Sequence, residues 1–221
     1  MTGKAVMGFA VALAAAFLLP AAGWTAERPA VLDEIAASVA SGAGAAVRFE
    51  QVVSQPSFGR EVTAQGEIVW RKGSLYWQYD WPNPQTYIVD GKEIHWVQPD
   101  QRQVVSLPLG QAFETHHAVA ALLGDPGALD RYFKIESVAD EQNQVTLELK
   151  PRFDNAQLVH ATLMFDRAGK VIRMIAIRDA FGNVNTIRMH RGGTRLKPSS
   201  DLFDLSRWAE WKQLRPGGTD G

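Results

Sequence analysis

The residues from which metal or hydrolytic chemistry would have to be built are five histidines, His95, His116, His117, His160 and His190, and a scatter of carboxylates. The densest group is His116-His117 beside Glu114. Adjacent residues of a helix point about 100° apart, so this pair does not converge on one ion and reads as a solvated helix start. There is no HExxH, no His-x-His and no cysteine, so no zinc spacing, disulfide or thiol catalysis arises. GxSxG and Ser-x-x-Lys are absent, which leaves no recognisable serine nucleophile. Asp179-Ala180-Phe181-Gly182 resembles half a kinase metal motif, but it falls between two strands and reads as a turn. The carboxylates are spread among turns, and their spacing proposes no glycosidase pair. No glycine-rich loop precedes a helix. The net charge of −1 supplies no basic groove for nucleic acid. The chain reads as a container rather than a catalyst, with no cofactor required.

What remains is aromatic. In Arg71–Pro84, RKGSLYWQYDWPNP, Leu75, Trp77, Tyr79 and Trp81 share one side and Tyr76, Gln78 and Asp80 the other. A period of two is a β-strand with two faces. Three aromatics and a leucine on one face either pack an ordinary β core or line a cavity for an apolar ligand. Trp96 on a neighbouring strand is a further candidate for that face. Leu122 and Leu123 offer an apolar helical face to cover it.

The elements that would hold this strand follow from the rest of the chain. Lys4 and the apolar run Ala5–Pro20, then Ala21, Ala22 and Gly23, have the layout of a secretory leader cleaved near residue 23. The run is short for a membrane span, although an uncleaved anchor is the competing reading. Residues 24–221 then form a single exported domain, resting on its core because it has no disulfides. Pro29–Ser41 carries Val31, Leu32, Ile35, Ala36 and Val39 on one helical stripe. Strands are predicted at Val47–Val53, Glu61–Trp70, Leu75–Trp81, Gln85–Val89, Glu93–Gln98 and Arg102–Leu107. The joins between them are short and rich in turn formers, which indicates an antiparallel meander. Two short helices, His116–Leu123 and Gly127–Tyr132, interrupt it, with Asp125 as the cap of the second. Strands resume at Lys134–Val138, Gln144–Leu149, Leu158–Asp166, Lys170–Arg178 and Asn183–Arg191. One long meander of about eleven strands must curl into a closed or half-closed barrel, filled or covered by the helices. Residues 214–221 are expected to fray.

The order of these elements and several local motifs resemble the periplasmic lipoprotein carrier family, LolA. The motifs are Phe49-Glu50-Gln51, Gly66-Glu67-Ile68, Arg71 ahead of Leu75-Tyr76-Trp77-Gln78-Tyr79-Asp80-Trp81-Pro82, Asp90-Gly91-Lys92 with Ile94-His95-Trp96, and Ala121-Leu122-Leu123-Gly124-Asp125. Lys72 departs from the family's Arg-Pro, and Ser206–Trp211 does not resemble its C-terminal ending. The departure at the C-terminus leaves room for a paralogue with another lipid cargo or receiver. The resemblance implies an unclosed antiparallel β-barrel with an N-terminal helix and inserted lid helices, working as a monomer in the periplasm. It also implies an acyl cavity, here Leu75, Trp77, Tyr79, Trp81, Trp96, Leu122 and Leu123. The partners implied are acylated lipoproteins, an inner-membrane exporter and an outer-membrane receptor. Arg71 is expected to donate to the free carbonyls of a lid helix and so to act as the hand-off switch. A carrier of another lipid and a lipoprotein-sensing module are the alternatives.

Overall fold

The computed structural model describes residues 29–40, 46–71, 74–112, 118–124, 129–154, 156–191 and 199–216. The expected leader, His116-His117, Glu114 and Asp125 lie outside them. Eleven strands form where alternation predicts them, within a few residues at each end: β1 Ala46–Gln55, β2 Arg60–Arg71, β3 Ser74–Trp81, β4 Gln85–Val89, β5 Glu93–Gln98, β6 Gln103–Pro108, β7 Phe133–Glu141, β8 Gln144–Pro151, β9 His160–Asp166, β10 Val171–Arg178 and β11 Val184–Arg191. A twelfth, β12 Lys212–Leu214, was not anticipated. All join one unclosed sheet in the order β12-β6-β5-β4-β3-β2-β1-β11-β10-β9-β8-β7.

That order corrects the single meander. The chain builds two meanders, β1–β6 and β7–β11, joined where β1 pairs antiparallel with β11. Short turns fix neighbours within each run, but the stretch from Pro108 to Phe133 is long enough to leave one flank of the sheet and re-enter at the other. It carries α2 (Leu109–Ala112), α3 (Ala118–Gly124) and α4 (Leu129–Tyr132). The helix ahead of the sheet, α1 (Val31–Ala40), buries Val31, Leu32 and Ile35 against β2 and β10.

All four helices pack on one face of the sheet. Their leucines and alanines share a core with Phe49, Ile68, Trp70, Leu75, Trp77 and the inward residues of β8–β11. The opposite face, which along β3 carries Tyr76, Gln78 and Asp80, bears a second apolar row over β2–β6. Val69, Tyr76, Ile88, Val97 and Val104 are covered there by Leu202, Phe203, Leu205, Trp208 and Trp211. The C-terminal stretch is therefore a strap across the outer face, whose end adds β12 parallel to β6. Arg207 lies over the Trp208 ring at 4.7 Å. Leu214 completes β12 and Arg215 pairs with Glu93, so ordered structure runs past the expected start of fraying.

Candidate functional site

The register of β3 decides which aromatics meet. Leu75, Trp77 and Tyr79 lie opposite Trp70, Ile68 and Gly66 on β2, and Trp77 lies opposite Tyr87 on β4, which faces Trp96 on β5. The result is a continuous inward ladder. Phe49 meets Trp77 and Tyr79 edge-on at 5.5 and 5.0 Å, Trp77 stacks on Tyr79 at 5.1 Å, and Tyr87 stacks on Trp96 at 5.9 Å. Edge and offset geometries at these distances are the attractive ones for aromatic quadrupoles.

Gly66 makes the ladder possible. A Cβ there would lie 1.9 Å from the Gln78 carbonyl oxygen and 2.8 Å from the Phe49 ring. Beside it the sheet carries a bulge, with Gly66 opposite Tyr79 but Gln65 opposite Trp81. One extra residue on β3 turns everything beyond it to the other face. Trp81 therefore leaves the inward row that strict alternation assigned it. It stands 52% exposed beside Gln65 and Thr63 of the outer face.

Between the ladder and α3 lies a cleft of about 250 Å³, lined chiefly by Trp77, Tyr79, Tyr87, Gln51, Asn185 and, from α3, Val119 and Ala120. Its wall is mixed: the rings of Trp77, Tyr79 and Tyr87 are flanked by Gln51, Asn83, Gln85 and Asn185, and Gln51 Nε2 donates to Asn185 Oδ1 at 2.8 Å. Burial, then the neighbouring Tyr87, push the Tyr79 hydroxyl well above the ordinary phenol range, against a hydrogen bond from Gln51. Burial raises Tyr87 likewise. Both are neutral phenols at any physiological pH. The Trp77 indole N–H is buried without a hydrogen-bond partner among the described residues. A second cleft of about 350 Å³ opens at the other flank between α1 and Phe165, rimmed by Glu34, Ser38, Arg167 and Lys170. Arg167 ties α1 down by binding Glu34 at 2.8 Å and also Asp140.

Of the residues singled out from the sequence, Trp77 and Tyr79 line the first cleft. Leu75, Leu122 and Leu123 are fully buried in the core beneath α3. Trp96 is half-buried on the inward face, stacked on Tyr87 and donating to Gln85 Oε1 at 2.7 Å. Arg71 lies opposite Ser74, one place beyond the Trp70–Leu75 pair, so its side chain leaves β2 on the face away from the ladder. The bond expected of Arg71 is made by its neighbour: Trp70 Nε1–H donates to the Leu123 carbonyl of α3 at 3.1 Å. Residues 71 and 74 pair across the hairpin, so Arg71 does not share the face of Leu75 and Trp77 although all three numbers are odd. Phe49, Trp70 and Tyr87 were missed as site residues. Tyr87 was findable from its alternation with Gln85 and Val89.

A serine, histidine and aspartate do meet elsewhere. His95 Nδ1 lies 2.8 Å from Ser106 Oγ, and His95 Nε2 lies 3.4 Å from Asp90 Oδ2. Ser106 and His95 are directly opposed on adjacent strands and buried on the outer face, and neither lines any of the clefts described. The trio instead braces the β4–β5 turn.

The family model described as outer membrane lipoprotein carrier protein LolA matches residues 41–206. An outer-membrane lipoprotein carrier protein of Bordetella avium is 28% identical over 189 residues, covering 85% of each chain. One of Nitrosomonas europaea is 28% identical over 159 residues, covering 72% of this chain and 76% of that one. A LolA superfamily protein of Nitrosomonas europaea aligns in structure with a TM-score of 0.46 at 11% identity, covering 80% of this chain and 97% of that one.

Proposed function

The chain belongs to the LolA family of outer membrane lipoprotein carrier proteins, and on that premise we propose that it carries acylated lipoproteins through the periplasm with their acyl chains held between the aromatic ladder and α3. The observation that carries this reading is the contact between α3 and the ladder. Val119 and Ala120 wall a cleft already lined by Trp77, Tyr79 and Tyr87. Its 250 Å³ falls below the roughly 300–1000 Å³ of pockets that enclose a ligand. An acyl chain enters by displacing α3, and the empty form is the closed one.

The energetics suit a carrier. Each CH₂ buried contributes about 0.8 kcal/mol, so a modest length of chain offsets the loss of the Trp70–Leu123 hydrogen bond, worth about 0.5–1.5 kcal/mol net. Re-forming that bond and the α3 packing assists release. Hand-off from an inner-membrane exporter to an outer-membrane receptor then runs downhill in affinity, without nucleotide or catalysis. No helix among the described residues is long and apolar enough to cross a membrane.

Native mass spectrometry of the protein isolated from the periplasm tests the reading. A bound lipoprotein is the expected species. A glycolipid or other lipid would keep the cavity and change the cargo. Protein that stays empty, and takes up no acylated lipoprotein when offered it in detergent, would overturn the carrier role.

A further inference from the structure

Five large apolar side chains are exposed among the described residues: Phe58, Trp81, Val138, Val159 and Phe181. Phe58, Val159 and Phe181 lie at one end of the sheet. Phe58 sits at the β1–β2 turn and is 78% exposed; Phe181 sits at the β10–β11 turn and is 73% exposed. These hairpins are neighbours because β1 pairs with β11, with Ser54 opposite Val184, which puts the two turns side by side at the same end of the sheet. Val159 joins the same end, its N–H bonded to the Arg178 carbonyl. Trp81 is set back on the flank. The step from the Gln55–Arg60 pair to the Gln65–Trp81 pair is five residues along β2, about 16 Å. The cleft opens toward this end, since Pro82, Asn83 and Asn185 line it.

The tips are stiff. Gly59 and Gly182 hold the left-handed conformation each turn needs, at φ 55° and 81°. The Asp179 carboxylate is occupied by the N–H groups of Phe181 and Asn183 and by Asn183 Nδ2. The segments themselves, Pro56-Ser57-Phe58-Gly59 and Ala180-Phe181-Gly182-Asn183, carry no charge. Each presents one aromatic ring on a pre-ordered turn, with little left to immobilise on contact.

We propose that these tips seat the protein on the interfacial layer of a phospholipid bilayer, with the mouth of the cleft turned toward the lipid. Turn tips that carry a single aromatic, with the Asp179 carboxylate taken up in the turn's own hydrogen bonds, match the headgroup boundary, where such rings partition. Separate, convex tips form no continuous apolar core of the kind a protein partner would require, whereas a bilayer imposes only a common depth. Two exposed rings on adjacent turns at the same end of the sheet suit that condition, and Trp81 stays clear of it. The inference stands apart from the cargo reading, because it concerns the empty protein and lipid without lipoprotein.

Co-sedimentation of the purified, delipidated protein with pure phosphatidylcholine vesicles tests it. Wild type should partition, with little change on adding salt, because insertion of rings rather than charge drives it. Phe58→Ser and Phe181→Ser should each lower the partition coefficient about tenfold, with unchanged circular dichroism, while Val138→Ser behaves as wild type. Wild-type partition in the double variant, or partition abolished by salt, would overturn the proposal. So would wild type that ignores vesicles while the double variant loses binding to a protein receptor; that outcome would make the tips a protein contact.

Discussion

The Trp70 indole N–H and the Leu123 carbonyl, fifty-three residues apart in sequence, meet at 3.1 Å and fasten the end of α3 to the inward face of β2. The indole satisfies one of the carbonyls that a helix end leaves open. It is buried, so water does not substitute when the bond breaks.

Trp70→Phe keeps an aromatic ring and removes the donor. Amide exchange in α3 should quicken about tenfold, and release of bound lipoprotein to acceptor membranes should slow, since one driving contact of the closed state is lost. Arg71→Leu, on the other face of the strand, should leave release at the wild-type rate. Slow release in Arg71→Leu with normal release in Trp70→Phe would reverse this assignment.

Gly66→Ala places a methyl group against the Gln78 carbonyl and the Phe49 ring. The expected loss is about 1–3 kcal/mol in urea unfolding, together with altered near-ultraviolet dichroism from a displaced Phe49–Trp77–Tyr79 cluster. A neutral substitution would show that β2 and β3 can part without disturbing the ladder.

Trp77→Phe removes a buried donor that has no partner among the described residues. A lone buried N–H costs about 1–3 kcal/mol, so the empty protein should melt no lower than wild type despite the smaller ring. If the ester carbonyl of an acylated ligand accepts from this N–H, affinity for ester-linked lipid should fall about tenfold, with the ether analogue unaffected. Calorimetric titration of both ligands measures the difference.

Burial pushes the Asp90 carboxyl up, but the backbone N–H groups of Glu93 and Lys92 and the His95 ring outweigh it and hold it below the ordinary carboxylate range. A lowered carboxyl contributes stability above its unfolded value, near pH 4, and loses it as pH falls through the folded value. Asp90 is partly exposed, so the contribution should stay below about 1 kcal/mol. Unfolding midpoints across the acid limb should therefore fall less steeply in Asp90→Asn than in wild type.

Local pattern alone determined β1–β11, because alternation with period two and turns of a few residues are properties of neighbours in sequence. Leu75, Trp77 and Tyr79 were legible as one face for that reason, and the motif order around them was enough to identify the family. Three things were not legible. A single extra residue opposite Gln65 and Gly66 turned Trp81 outward, and a bulge is a fact about two strands, not one. The pairing of β1 with β11 made two meanders of what reads as one, since a helical connection leaves its destination open. The strap over Tyr76 and Val104 was hidden because an apolar outer face becomes core only when a distant segment covers it. Alternation says that a strand has two faces. Which of them is inside depends on contacts between residues far apart in the chain, and those exist only once it has folded.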